Sequence, residues 1–356
     1  MGLTLNPTIT FTGTEAKEGI LEAAFARPML SQIHTIHENI IAKEQIAFLQ
    51  RLEKVTLKDT GCGTGISTKE IPMYDKFWEP VNTKIWLQPC WNDFTSSFFI
   101  WSMRKGIDRA DLSETDLAEY LMEVMTDAVF DDVLRMLWFS DTAISDISAS
   151  PPGLLGSADD VKYYNLFNGF FKQIFAGVAI SAGTWGHIPK YVIAANNEAT
   201  KALQLSQLAD GISLTIMREL LNGADKRLRN APDKIFLVSD TIFANWQEYK
   251  ESKVLETSWK QQDFDMEVGI YRSTPIIPMA FWDRHIQADF DDGTTYNMPH
   301  RAVLTTKSQL AAGFDSSDKV GDFKSYLDDT TELYNIKGGY KVDAKTMEHH
   351  MFSVGY

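Results

Sequence analysis

His34 and His37 stand three residues apart, a spacing that on a helix would let two imidazoles share a metal ion. No third ligand follows nearby, so the pair reads as two solvated surface histidines. His349 and His350 are adjacent and on a regular strand would point to opposite faces, which suits surface and packing roles and not joint ligation. Asp289-Phe290-Asp291-Asp292-Gly293 has the acidic look of a calcium loop. Its glycine falls one place too early for EF-hand spacing and no glutamate closes it, so a solvated turn is expected. Trp282-Asp283-Arg284-His285 holds acid–base groups, yet consecutive side chains rarely converge and no nucleophile motif flanks them. A surface Asp283–Arg284 pair is the expectation there.

Gly61-Cys62-Gly63-Thr64-Gly65 could suggest a phosphate cradle, but the following lysine, Lys69, comes several residues too late and no helix start follows. Cys62 between glycines reads as part of a loop tip and not as a thiolate held in a stabilising pocket. The short basic run Lys226-Arg227-Leu228-Arg229 reads as a salt-bridging helix end. A metal-dependent hydrolase using His34, His37 and Asp283 is kept as an alternative of a different class. The leading expectation is no catalytic residue, no metal site and no cofactor. With 12% aromatic residues, nine Trp among them, and no convergent chemistry, some aromatics are expected on contact surface.

The elements around these residues belong to a 356-residue chain with 34 Lys and Arg against 48 Asp and Glu, a net charge of −14. That balance excludes a nucleic-acid coat held by electrostatics alone. The 44% hydrophobic content is that of a folded globular protein, and the length exceeds what one core usually fills. Two cysteines, Cys62 and Cys90, exclude a disulfide scaffold and a four-thiolate metal site. The start of the sequence has no signal-peptide pattern, and the most apolar stretch, Phe170 to Trp185, is short of a membrane span.

Residues 1–42 read as an arm with a short helical candidate around Ile33, Ile36, Ile40 and Ile41. Between Lys43 and Gln88 the pattern turns β-rich, with Val55-Thr56-Leu57 before the glycine-rich tip and Ile85-Trp86-Leu87 after it. An isolated hairpin is marginal in water, so this one must lean on something else. Ser113 to Asp116 has capping-box form, and two apolar stripes follow. One is Leu117, Leu121, Val124 and Ala128; the other is Met122, Met125, Val129, Val133 and Leu137. The helix they predict, 113–138, is longer than a typical globular helix. After the break at Pro151-Pro152-Gly153, Tyr163 to Phe171 reads as an aromatic amphipathic helix, and Ile212 to Leu221 as another, ended by Asn222-Gly223. Lys234 to Val238 is a buried-strand run feeding a helix from Ile242 to Lys250. Val268–Tyr271, Thr274–Met279 and Arg301–Thr306 read as short strands, making the class mixed α+β.

The segment Asp233 to Tyr249, then Val268 to Tyr271 leading to Pro275–Asp283, resembles the central part of tailed-phage major capsid proteins, and His300–Leu310 and Tyr340–Lys345 look like that family's closing strands. The resemblance covers about the last third of the chain. It implies the HK-97-like capsid fold, with an N-terminal arm at 1–42 and an extended hairpin loop at 43–88. A peripheral domain at 89–160 would contain the spine helix, an axial domain would span 161–290, and 291–356 would return to the peripheral domain. It further implies self-assembly into hexamers and pentamers of an icosahedral shell that encloses double-stranded DNA without sequence-specific binding. Portal, scaffolding and decoration proteins are the implied partners, and a virion assembled in the bacterial cytoplasm the implied location. An encapsulin-type cargo shell is the alternative with the same fold. Many relatives carry a cleaved scaffolding segment before the arm, whereas here the arm begins close to Met1, implying a separate scaffolding protein or none. Some relatives are welded by a Lys–Asn isopeptide bond; Lys69 and Asn297 carry no motif for it, and non-covalent closure is expected.

Overall fold

The computed structural model describes residues 30–49, 55, 56, 58, 73–88, 116–144, 155, 157, 160–206, 208–253, 259–261, 267–316, 324–328, 330, 331 and 333–356, with side chains in the first turns of the helix at 116–139 left aside. The described chain opens with one helical turn, α1 (Leu30–Ile33), and strand β1 (Thr35–His37). Strands β2 (Glu44–Leu49), β3 (Met73–Trp78), β4 (Val81–Asn82) and β5 (Ile85–Leu87) follow. The spine helix, α2 (Asp116–Phe139), leads to α3 (Val161–Tyr164), α4 (Phe170–Ala179) and strand β6 (Lys190–Tyr191). Next come α5 (Lys201–Ser206), α6 (Ile212–Gly223), α7 (Lys226–Asn230), β7 (Lys234–Val238) and α8 (Asp240–Ser252). Strands β8 (Trp259–Gln261), β9 (Glu267–Tyr271) and β10 (Thr274–Pro278) precede α9 (Ala280–Asp289). The chain closes with β11 (Ala302–Thr306), β12 (Leu310–Phe314), β13 (Lys324–Asp328), β14 (Leu333–Gly338), β15 (Lys341–Thr346) and β16 (Ser353–Gly355).

Among the described residues these strands form four sheets, ordered β6-β16-β11-β7-β10-β9-β8, β1-β12-β15-β4, β13-β14-β5 and β2-β3. The seven-stranded sheet is covered on both faces, which is why Lys234 to Val238 reads as an unbroken apolar run. Ile235 and Leu237 enter one core with the spine helix, while Phe236 and Val238 enter a second core with Ile216, Leu220 and Trp246. Register repeats the split across the sheet: Leu237 lies opposite Val303 on β11 and Ile277 on β10, all on the first core's side. Strands β11 and β16 therefore sit in the same sheet as β7 and β10. The expected boundary at residue 290 runs through one sheet, because the buried centre of that sheet needs partners on both edges of β7.

The spine helix has 24 residues, about 36 Å at 1.5 Å per residue. Of its two predicted stripes, Met125, Val129, Val133 and Leu137 are buried, whereas Ala128 is exposed. Ser113 and the side chains of Leu117, Leu121 and Val124 lie outside the described residues. The spine crosses α4 closely at Gly169, where an added Cβ would stand 2.8 Å from the Leu137 carbonyl oxygen. That glycine also separates α3 from α4, so the predicted single aromatic helix is two.

The helical candidate around Ile33 to Ile41 ends after one turn. Residues 35–37 instead pair in parallel with Ala311–Gly313 of β12, since a sheet edge satisfies more backbone groups than a marginal short helix. Ile33 and Ile40 are buried, so the last dozen residues assigned to the arm are part of the body. The arms of the hairpin are β2 and β3, paired Glu44↔Trp78 through Leu49↔Met73. Ile85–Leu87, read as a hairpin flank, pairs with β14, and Val55-Thr56 is not in a strand. Among the described residues no helix is long and apolar enough to cross a membrane.

Candidate assembly surfaces

The residues singled out for chemistry are engaged in packing. His34 is 0% exposed, not a surface residue. Its Nδ1–H donates to the Leu30 carbonyl at 3.1 Å, its Nε2 accepts the Trp138 Nε1–H at 3.1 Å, and its ring stacks on Phe170. Burial pulls its pKa down to about 3, so the ring is neutral. Both nitrogens are used, which removes the His34–His37 metal pair and the hydrolase trio; His37 lies on β1, tilted against Trp78.

Asp283 does not pair with Arg284 at the surface. It is 8% exposed, and its Oδ2 accepts the Asp240 N–H at 2.7 Å, capping α8 from a different element. Burial holds its carboxyl up at about 7. Arg284 meets Asp131 of the spine at 3.3 Å, and His285, its pKa lowered by burial, faces Asp289 at 3.4 Å. Asp289 also accepts the Tyr164 hydroxyl, Asp291 pairs with Lys201, and Asp292 accepts the Thr294 and Thr295 N–H groups of a tight turn. Arg229 of the basic run donates to the carbonyls of Leu221 and Asn222 at the end of α6. Among the described residues no three His, Cys, Asp or Glu side chains gather as metal ligands. Cys62, Lys69 and the glycine-rich tip lie outside the described residues.

Two features were not legible from local pattern. Arg301 is wholly enclosed, its guanidinium 4.4 Å from the Phe171 ring centre, with N–H groups donating to the Met298 and Asn297 carbonyls. Burial lowers its pKa to about 9. The other is the base of the hairpin. Lys76 of β3 donates to the carbonyls of Thr346 and Met347 and to His349 Nε2, the last at 2.8 Å. His349 in turn donates from Nδ1 to the Gly186 carbonyl at 2.7 Å. Tyr74 stacks on Trp185 at 4.0 Å between ring centres, and Trp185 stacks on His349. Burial beside Lys345 pulls Lys76 to about 7, and burial holds His349 at about 4, leaving the imidazole neutral and able to accept.

The hairpin is thus tied to the rest of the chain through Lys76 and Tyr74 of β3. Leu49 and Met73, directly opposite each other, are 69% and 65% exposed. Two exposed apolar side chains paired in that way suit contact with another molecule.

No protein-family model and no curated protein matches the sequence. Solved structures do. The capsid of a native GTA particle aligns with 98% of this chain and 94% of its own, at a TM-score of 0.53 and 9% identity. Gordonia phage Cozz aligns with 97% of this chain and 90% of its own, at 0.53 and 10% identity. The capsid structure of cyanophage P-SCSP1u aligns with 97% and 92%, at 0.50 and 10% identity. A β-hairpin, a long spine helix and two hydrophobic cores on either face of one sheet, in a chain matched over nearly its whole length, establish the HK-97-like capsid fold for this protein.

Proposed function

We propose that this chain is the major capsid protein of a tailed bacteriophage, assembling into hexamers and pentamers of an icosahedral shell around double-stranded DNA. The observation that carries the reading is agreement of fold across 98% of this chain and 94% of a capsid subunit. The engaged state of His34, Asp283 and His349 supports a structural role over a catalytic one. On this reading the division into arm, hairpin, peripheral and axial parts serves assembly. Each subunit contact is weak, and symmetry and multivalency close the shell. The negative net charge keeps packaged DNA from adhering to the wall. Portal, scaffolding and decoration proteins would complete the particle, and assembly would proceed in the host cytoplasm.

Negative-stain microscopy of the purified full chain, with light scattering of the same fraction, tests this. Closed particles or capsomer rings are the expected result. A compact monomer at every concentration would overturn it, and closed particles holding one cargo protein in place of DNA would transfer it to a cellular compartment shell.

A further inference from the structure

The three-stranded sheet β13-β14-β5 carries a cationic, aromatic face in an otherwise acidic chain. Register puts Trp86 directly opposite Lys337, and Lys337 directly opposite Lys324, so the three share one row and one face. The Trp86 indole lies 4.1 Å from Lys84 Nζ and 4.6 Å from Lys337 Nζ. Lys337 also donates to the Tyr326 hydroxyl, and its Nζ lies 5.1 Å from that ring. Trp86 and Tyr326 are 43% and 45% exposed. The Trp86 Nε1–H is fixed on Asn335 Oδ1 at 3.0 Å, and Gln88 donates to the same oxygen, so the indole is tied to β14. Cation–π contact restrains two flexible ammonium groups on that indole, and a face organised in this way loses less entropy on meeting an anionic partner. On the other face of the same sheet Ile336 is buried, which fixes which side is presented.

The complement lies in the same hairpin. The connection from β13 to β14 reads Asp328-Asp329-Thr330-Thr331-Glu332. Asp328 accepts the Thr330 N–H at 3.0 Å and the Thr331 hydroxyl at 2.8 Å, which folds Thr330 and Thr331 back on the end of β13. One short hairpin thus carries a cationic face and an acidic end. Contacts of this head-to-tail kind repeat around a rotation axis and close a ring.

We infer that the Lys84–Trp86–Lys324–Lys337 face docks the acidic end of the β13–β14 hairpin, at Asp328, of a second copy of this chain. The inference rests on the shell reading above and adds to it a specific inter-subunit contact. A second copy suits the face better than a nucleic acid does, because the row is only about two strand spacings, roughly 10 Å, and a duplex is gripped along an extended phosphate track. The net charge of −14 also makes any neighbouring copy a source of carboxylates.

The test mixes ordinary and nitrogen-15-labelled full-length protein and applies a carbodiimide, which joins lysine to carboxylate without a spacer. Isotopically mixed links from Lys84, Lys324 or Lys337 to residues 328–332 are expected; their absence overturns the inference. In parallel, the triple variant Lys84→Glu/Lys324→Glu/Lys337→Glu is expected to lose particles, and adding Asp329→Lys/Glu332→Lys to restore them. Undiminished particles from the triple variant, or no restoration, overturn it. If the triple variant assembles normally but loses salt-sensitive binding of a duplex DNA oligonucleotide, the face belongs to DNA and the inference falls. If the unaltered protein forms no particles, the shell reading fails separately, and the mixed-isotope links in the soluble protein still decide the contact. Far-UV circular dichroism confirms folding of each variant; where one does not fold, the cross-links decide.

Discussion

Acidification should destabilise the subunit through His34 in a way that a single substitution abolishes. The ring is wholly buried, accepts from Trp138 and donates to Leu30, and its pKa falls from 6.5 to about 3 on folding. A folded pKa below the unfolded value means the contribution is fully present above pH 6.5 and is lost as pH falls towards 3. At pH 4.5 the unfolded chain has taken up the proton and the folded ring has not. The two units between 6.5 and 4.5, at about 1.4 kcal/mol each, correspond to about 3 kcal/mol of lost stability. Many carboxylates titrate over the same range, so the readout is a double difference. Urea unfolding of the unassembled chain, followed by tryptophan fluorescence, is compared at pH 6.5 and 4.5 for the wild type and for His34→Gln. Glutamine can accept from Trp138 and donate to Leu30 but does not titrate. The variant is expected to be less stable at pH 6.5 by about 1–2 kcal/mol, for imperfect replacement of a packed ring. Its further loss on acidification should be about 2–3 kcal/mol smaller than that of the wild type. Equal acid losses in the two proteins would show that the ring is solvated or charged in the fold and would refute the reasoning.

Gly169→Ala should destabilise by about 1–3 kcal/mol, since the new Cβ meets backbone atoms of the spine at 2.8–3.1 Å although the φ of −68° would suit alanine; unchanged urea midpoints would mean that the crossing is looser. Lys76→Met removes the donor shared by Thr346, Met347 and His349, so the hairpin base should open more often, by a local cost of about 1–3 kcal/mol. Faster limited proteolysis within residues 44–78 is the expected reading, and equal rates would argue against the clamp. Asp283→Asn keeps an acceptor for the Asp240 N–H while removing a buried charge. Because the Asp283 pKa is raised from 3.8 to about 7, the wild type's favourable contribution is present below pH 3.8 and lost as pH rises through 7. The variant should therefore gain on the wild type by about 3–4 kcal/mol between pH 4 and pH 8 in calorimetry, roughly three pH units at about 1.4 kcal/mol each, and a pH-independent difference would show the carboxyl to be solvated.

Local pattern carried much of this fold. The apolar run Lys234–Val238 gave a strand, the spacing of Met125, Val129, Val133 and Leu137 gave the buried stripe of a long helix, and Asn222-Gly223 gave a helix end. Each of these rests on residues within a few positions of one another, where backbone period alone dictates which side chains share a face. The candidate chemistry was different. His34 was read as solvated because nothing near it in sequence announces Trp138 and Phe170, both more than a hundred residues away. Asp283 caps a helix that begins 43 residues earlier, and Lys76 finds its acceptors some 270 residues later. Ile85–Leu87 had the composition of a strand but not the identity of its partner, β14. The sequence by itself determined most of the elements, their order and the acidic charge. Only the tertiary structure decided which polar groups are buried, what they hold, and which edges and faces remain outward, because desolvation and hydrogen-bond pairing depend on distant segments that meet only when the chain has folded.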